Sequence, residues 1–320
     1  MGSSLRRVAF IHNPASGQIS ARRAAAVREA ISVFRDAGLH VESFETDGPG
    51  TGSAFARQCA TDGFDAVVAC GGDGTVHEVL QGLVGTNIAL GVLPLGTANA
   101  LAANLGLVGP GARVARALLN SSRVRVPVGQ IHFSDQTGQS VSRYFLVAAG
   151  VGADALLMSR LDSKLKRRLG YVLYLIEGFR IWATDPFPLF EADVTLNGIG
   201  SRHTLEVSQL LAVRVRSFGG VLRRLAPGAT LHNSHLQLIA FRTRKRMHYL
   251  RFLLAAIAGR QTFNGIVQLH ESSTVECRPR NGSRDTLHVE ADGEVLGFLP
   301  VKMEVVPDAL TILVPPHAEP

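Results

Sequence analysis

The stretch that most constrains this chain is Asp65–Val84, DAVVACGGDGTVHEVLQGLV. Ala66–Cys70 is a short apolar run of the kind a buried strand needs. Beyond Thr75, residues Val76, Val79, Leu80 and Leu83 fall on one helical face. Between them lies Gly71-Gly72-Asp73-Gly74-Thr75. Its glycines allow a sharp turn and a close approach of backbone to a ligand. The helix start adds N–H donors and the positive end of its dipole, which suit a phosphate. A carboxylate at Asp73 would repel that phosphate, which points to a divalent cation between them. The same strand–loop–helix unit also occurs without a ligand, so other parts of the chain must decide. The dinucleotide fingerprint would need a third glycine where His77 stands, and no G-x-x-x-x-G-K-[ST] run occurs.

Two more turns of this type flank the first. The strand-like Leu5–Ile11 runs into Asn13-Pro14-Ala15-Ser16-Gly17, and Ile88–Leu93 runs into Pro94-Leu95-Gly96-Thr97-Ala98-Asn99. Each also reads as an ordinary capped strand-to-helix junction. Ile19–Ala37 and Ser53–Ala60 read as helices, and Leu39–Phe44 as a strand followed by a loop that begins at Thr46. Alternating strands and helices predict an open parallel sheet covered on both faces. Ligands of such sheets bind beyond the carboxyl ends of the strands. Three glycine-bearing turns that all follow strands therefore belong on one rim, and together they predict a phosphate site.

After Arg123 the pattern changes. Val124–Val128, Gln130–Phe133, Ser142–Ala149, Phe187–Leu196, Leu205–Val215 and Leu236–Arg242 read as strands, as do Thr274–Arg278, Leu287–Glu290 and Leu310–Val314. Such a succession predicts an antiparallel arrangement. The expected fold class is α/β plus β in two domains: an open parallel α/β domain over 1–125 and a mostly antiparallel β-sandwich over 126–301, with 302–320 free to pack back onto the first. Lys245–Gly259 reads as a short helix. Met158–Tyr174 is amphipathic and basic, carrying Arg160, Lys164, Lys166, Arg167 and Arg168. It is either a solvated face or a contact for an anionic membrane. Glu290-Ala291-Asp292-Gly293-Glu294 is either a hairpin turn or a pair of carboxylates placed for general-base work.

The net charge of +7 implies an anionic partner. Nucleic acid is disfavoured, because aromatic residues make up only 6% and no stacking platform is evident. The longest apolar run, about Leu250–Ala258, is too short for a membrane span, and neither a secretory h-region nor a myristoylation motif is visible at the N-terminus. Cys59, Cys70 and Cys277 lack C-x-x-C spacing and fit buried thiols in a reducing compartment.

Taken in order, Asn13–Gly17, Gly71–Thr75 with His77-Glu78-Val79, Pro94–Asn99, Gly150-Val151-Gly152-Ala153-Asp154-Ala155, Gly219-Gly220 with Ala226-Pro227, and Asp292-Gly293-Glu294 form a pattern. In these motifs the chain resembles the diacylglycerol kinase catalytic-domain family, bacterial lipid kinases whose fold is shared with sphingosine and ceramide kinases. The resemblance implies an ATP- and Mg2+-dependent transfer of the γ-phosphate to the hydroxyl of a membrane lipid, diacylglycerol or sphingoid- or ceramide-like. By this carry-over Asn13, Pro14, Ser16, Gly17, Thr46, Gly71, Gly72, Gly74, Thr75, Glu78, Gly96, Thr97 and Asn99 hold ATP, and Asp73 holds or orients magnesium. Glu294, supported by Asp292, takes the proton from the hydroxyl across an interdomain cleft. It also implies a cytoplasmic protein, peripheral at the inner membrane face, with transient contact to anionic lipid, no nucleic-acid partner and a homodimer allowed. The alternatives are a soluble-substrate kinase related to NAD kinase and a catalytically weakened nucleotide- or lipid-binding homologue. Three positions depart from the family pattern: Ala100 and Pro127, each in place of an Asp, and Asn233, whose missing carboxylate weakens the family's structural magnesium site.

Overall fold

The computed structural model describes residues 5–13, 20–135, 137–161, 171–196, 202–218, 225–260, 262–281, 286–316 and 318. The chain divides into two compact units, Met1–Val128 with Pro307–Pro320, and Gly129–Val306. The first unit holds β1 (Arg7–His12), α1 (Ser20–Asp36), β2 (His40–Glu45), α2 (Thr51–Thr61), β3 (Ala66–Gly71), α3 (Asp73–Leu83), β4 (Ala89–Pro94), α4 (Ala100–Asn104) and α5 (Gly111–Leu119). β5 (Ser122–Ser134) leads into the second unit. There follow β6 (Ser140–Phe145), β7 (Ala148–Val151), α6 (Ala153–Arg160), α7 (Tyr171–Thr184), β8 (Phe190–Leu196), β9 (Arg202–Val207) and β10 (Gln209–Val213). The series closes with β11 (Leu236–Phe241), α8 (Arg246–Ile257), β12 (Val267–Pro279), β13 (His288–Ala291), β14 (Glu294–Phe298) and β15 (Val301–Val314).

In the first unit β2, β1, β3, β4 and the end of β15 pair in that order, all parallel. The apolar runs Val8–Ile11 and Ala66–Cys70 are buried throughout, as strands covered on both faces must be. Phe34 of α1 meets Phe10 of β1 edge to face at 5.2 Å. Because β1, β3 and β4 run the same way, the turns that follow them lie along one edge of the sheet. β1 has β2 on one side and β3 on the other, so the strand order reverses there, the point where open sheets bind ligands.

The second unit is antiparallel, with β14, β13, β7, β10, β11 and β12 paired in order. β12 pairs β11 through Val267–Ser272. After an irregularity between Ser272 and Val275 it pairs β8 and the start of β15, so one long strand serves three partners along its length. The core gathers inward residues of these strands, among them Phe145, Phe190, Leu210, Leu238, Val275 and Met303.

This is the expected fold class, an α/β domain with a parallel sheet followed by a β-rich domain. Individual elements differ. Helix α5 is absent from the expectation, although Val114, Ala115 and Leu118 supply its buried stripe. Ser142–Ala149 is not one strand. It breaks after Phe145 because the amides of Leu146, Val147 and Ala148 turn to the Asp292 carboxylate. Leu205–Val215 breaks at Ser208, whose N–H and hydroxyl both bond backbone near β11. The basic stretch Met158–Tyr174 is not one helix. Residues 162–170 lie outside the described ones, α6 ends at Arg160, and α7 runs on to Thr184. Among the described residues no helix is long and apolar enough to cross a membrane.

Candidate active site

In the first unit two glycine turns meet backbone to backbone. A Cβ at Gly96 would lie 2.5 Å from the Gly72 Cα, and one at Gly72 would lie 3.2 Å from the Gly96 Cα, so neither position has room for a side chain. Asp73 joins the turns: its carboxylate accepts the N–H of Asn99 (2.9 Å) and of Ala100 (2.7 Å). Asn99 adopts a left-handed backbone (φ 49°), its Oδ1 accepts the Gly96 N–H at 2.9 Å, and its Nδ2 donates to the Gly96 carbonyl at 2.9 Å. The Leu95 N–H donates to the Gly71 carbonyl at 2.8 Å. Gly71, Gly72, Asp73, Gly96 and Asn99 are thus brought together. Thr75 packs over Gly71, where a Cβ would come within 2.2 Å of Thr75 Oγ1. Thr97 is exposed between these anchors.

The first bond inside α3 runs from the Val76 N–H to the Gly72 carbonyl at 3.2 Å, so the amides of Gly74 and Thr75 precede the helical ladder. No side chain caps this start. Donors, dipole and close backbone approach coincide there, which suits phosphate oxygens. Glu78 reaches the loop after β2: its carboxylate accepts the Gly50 N–H and lies 2.8 Å from where a Gly52 Cβ would be, tying α3 to the start of α2. Thr46 is buried, with its N–H donating to the His12 carbonyl at 2.9 Å and its hydroxyl turned the same way. Asn13 is exposed just beyond β1. Pro14, Ser16 and Gly17 lie outside the described residues, as do Gly219 and Gly220.

In the second unit Asp292 (φ 49°) and Gly293 (φ 86°) form the tight turn between β13 and β14, the left-handed pair that a two-residue hairpin loop demands. Asp292 also fastens this turn inward by accepting the amides of Leu146 (2.9 Å), Val147 (2.8 Å) and Ala148 (3.1 Å). Glu294, the first residue of β14, is exposed. The segment is therefore a hairpin turn, with an anchored acid beside an accessible one.

Three groups to which the sequence analysis gave no role stand behind this turn. Glu290 is buried and its Oε2 accepts the Gly293 N–H at 2.7 Å. Its strand partner is Gly150, where a Cβ would lie 1.6 Å from Asp154 Oδ2. The Asp154 carboxylate thus folds over that glycine toward Glu290. Both its oxygens are shut off from solvent and, although Gln209 and the Ala155 amide are polar neighbours, neither oxygen has a partner in hydrogen-bond geometry. Burial pushes Asp154 up to about 7, and burial together with the Asp154 charge raises Glu290 as well. Arg214 is fully buried, and its Nη2 donates to the carbonyls of Leu231 (3.0 Å) and Asn233 (3.3 Å). Burial lowers its pKa to about 10 while the Asp292 charge opposes that shift, so it remains a cation at neutral pH. The sequence signals were present but weak: a glycine four residues before Asp154, and an Arg inside the apolar run that ends in Val215.

The turn around Asn233 does not suit a hard divalent ion. Its amide is engaged with the Thr230 hydroxyl (2.9 Å) and the Gly228 carbonyl (2.9 Å), and two carbonyls of the turn already receive the Arg214 guanidinium. Among the described residues no three His, Cys, Asp or Glu cluster as a metal site.

The profile described as "Diacylglycerol kinase catalytic domain" matches residues 7–131, and that described as "YegS C-terminal NAD kinase beta sandwich-like domain" matches 146–314, more than half of the chain. The chain belongs to the diacylglycerol kinase and YegS-like lipid kinase family. This lipid kinase is 27% identical over 299 residues to the diacylglycerol kinase of Bacillus subtilis, covering 92% of each chain. Its fold matches the crystal structure of a diacylglycerol kinase from Bacillus anthracis, with a TM-score of 0.69 at 17% identity over 99% of both chains. It also matches a yeast NADH kinase complexed with NADH, with a TM-score of 0.53 at 10% identity, covering 98% of this kinase and 84% of the other; at such identities the likeness is one of fold. As a member of this family the kinase is a phosphotransferase that uses a nucleotide.

Proposed function

We propose that this kinase transfers the γ-phosphate of ATP, with Mg2+, to the hydroxyl of a membrane lipid such as diacylglycerol or a sphingoid- or ceramide-like lipid. The observation that carries the reading is the clamp by which Asp73 holds the Asn99 and Ala100 amides, fixing two glycine turns as a cradle too close for side chains. Such a cradle with uncapped amides holds phosphate oxygens without reorganising. The same clamp fixes the Asp73 carboxylate at the start of α3, beside the two turns. One carboxylate, with substrate phosphates and water supplying the remaining oxygens, is a usual donor set for magnesium. The ion would neutralise charge on the phosphates.

In this reading the lipid hydroxyl oxygen attacks the γ-phosphorus, its proton passes to Glu294, and the bond to the departing ADP breaks. Glu294 suits that role by being accessible, and Asp292 holds the turn that presents it. The reading requires Glu294 to reach the acceptor hydroxyl while the phosphate sits at the glycine turns. The test is transfer of labelled phosphate from ATP to a panel of diacylglycerol, sphingoid base, ceramide and phosphatidylglycerol, with NAD as a soluble comparator. Asp73→Asn and Glu294→Gln should each reduce lipid labelling by about a hundredfold or more. Labelling of NAD without any lipid, or full turnover by either variant, would overturn the assignment.

A further inference from the structure

Two helices of the second unit turn apolar faces outward. On α7, Val172, Leu175, Ile176 and Phe179 are each more than half exposed, Phe179 at 66%. Their spacing makes one stripe along the helix, while Leu173 and Ile181 are buried, so α7 already has its core contact. On α8 the pattern repeats: Met247, Leu254 and Ile257 are exposed and Phe252 and Ala256 are buried. The helices are fastened together where the Trp182 Nε1–H donates to the Arg246 carbonyl at 2.9 Å and the Arg246 guanidinium donates to the Asp185 carbonyl at 3.1 Å. Exposed apolar stripes on two helices fastened in this way mark an interaction surface.

Charge decides what covers it. From Arg242 to Arg260 the chain carries Arg242, Arg244, Lys245, Arg246, Arg251 and Arg260, all exposed, and no acid. The acid of α7, Glu177, has a mostly buried side chain and pairs with Arg180. A second copy docked about a two-fold axis would set these cations against their own kind. An anionic bilayer takes both features, the stripes into the boundary between headgroups and acyl chains and the cations onto lipid phosphates.

We propose that the α7–α8 face lies on an anionic phospholipid surface. The face overlaps the basic stretch Met158–Tyr174 at its α7 end, and Arg160 of that stretch is already held by Asp185 in a two-armed ion pair. The chain leaves α7 directly into Asp185–Pro188, which with Gly152, Leu156 and His288 line a cleft of about 210 Å3, so docking carries that cleft to the bilayer. The proposal rests on the lipid-kinase reading for its choice of surface, but vesicle binding is measured without nucleotide and stands or falls separately.

The experiment is flotation of the full chain with phosphatidylcholine vesicles, either pure or containing phosphatidylglycerol. Wild type should float with the anionic vesicles only, and added salt should weaken the association. The double variant Phe179→Asp/Leu254→Asp should lose binding by about tenfold or more. Arg246→Gln/Arg251→Gln should lose several-fold. Circular dichroism confirms folding, and the apolar-face variant should keep phosphorylating a short-chain diacylglycerol dispersed as monomers while losing activity on vesicles. Unchanged flotation of the double variant overturns the proposal. So does a concentration-dependent dimer that Phe179→Asp abolishes in a chain that binds no vesicles.

Discussion

Replacing Asp154 by Asn should make the protein more stable, and increasingly so as the pH rises. Unfolded, the Asp154 carboxyl ionises near 3.8; folded, burial holds it near 7, a difference of roughly 3 pH units. At about 1.36 kcal/mol per unit, folding with Asp154 ionised costs on the order of 4 kcal/mol at neutral pH. The sign follows from proton counting. Between these two values the native state binds a proton that the unfolded state has released, so stability falls as pH rises and levels off once the folded group ionises. Glu290, raised in the same direction, steepens the fall. From about pH 5 to about pH 8 wild type should lose roughly 3 kcal/mol that Asp154→Asn retains. The neutral amide can also donate toward Glu290. Urea unfolding at the two pH values, followed by far-ultraviolet circular dichroism, measures the difference. Parallel pH trends for wild type and Asp154→Asn would refute the buried-pair reasoning, and a loss of stability in the variant at high pH would reverse it. Glu290→Gln should act in the same direction.

Arg214→Met should destabilise by about 3–5 kcal/mol in urea, because it leaves Asp292 without its buried counter-charge and two carbonyls without their donor. Since that guanidinium occupies the Asn233 turn, chelation with EDTA should leave the wild-type melting temperature unchanged. Gly96→Ala places a methyl 2.5 Å from the Gly72 Cα, and the glycine turns must part. Its cost should be about 1–3 kcal/mol, and ATP affinity measured by calorimetry should fall. Asp292→Ala strands three amides and should cost on the order of 3 kcal/mol, with hydrogen exchange rising first at Leu146–Ala148.

Much of this kinase was legible before any coordinates. Hydrophobic period marks strands such as Ala66–Gly71 because a strand covered on both faces has no polar side, and glycine spacing marks the turns because no other residue fits where two backbones touch. Element boundaries were less legible. The break after Phe145 depends on a carboxylate nearly 150 positions away, |i−j| = 145 for Val147 and Asp292, and no local pattern carries that partner.

By itself the sequence determined the fold class, the order of the phosphate-type turns and the family, since each follows from short-range spacing that the chain keeps whether folded or not. Only the tertiary structure decided what the charged groups do. It turned Asp73 into a clamp on the Asn99 turn, Asp292 into a fastener for three amides, Glu78 into a tie to α2, and Asp154 with Glu290 into a buried pair. The reason is that a carboxylate's role depends on which donors and charges lie within a few ångströms and on how much water is left, and both are properties of the packed chain.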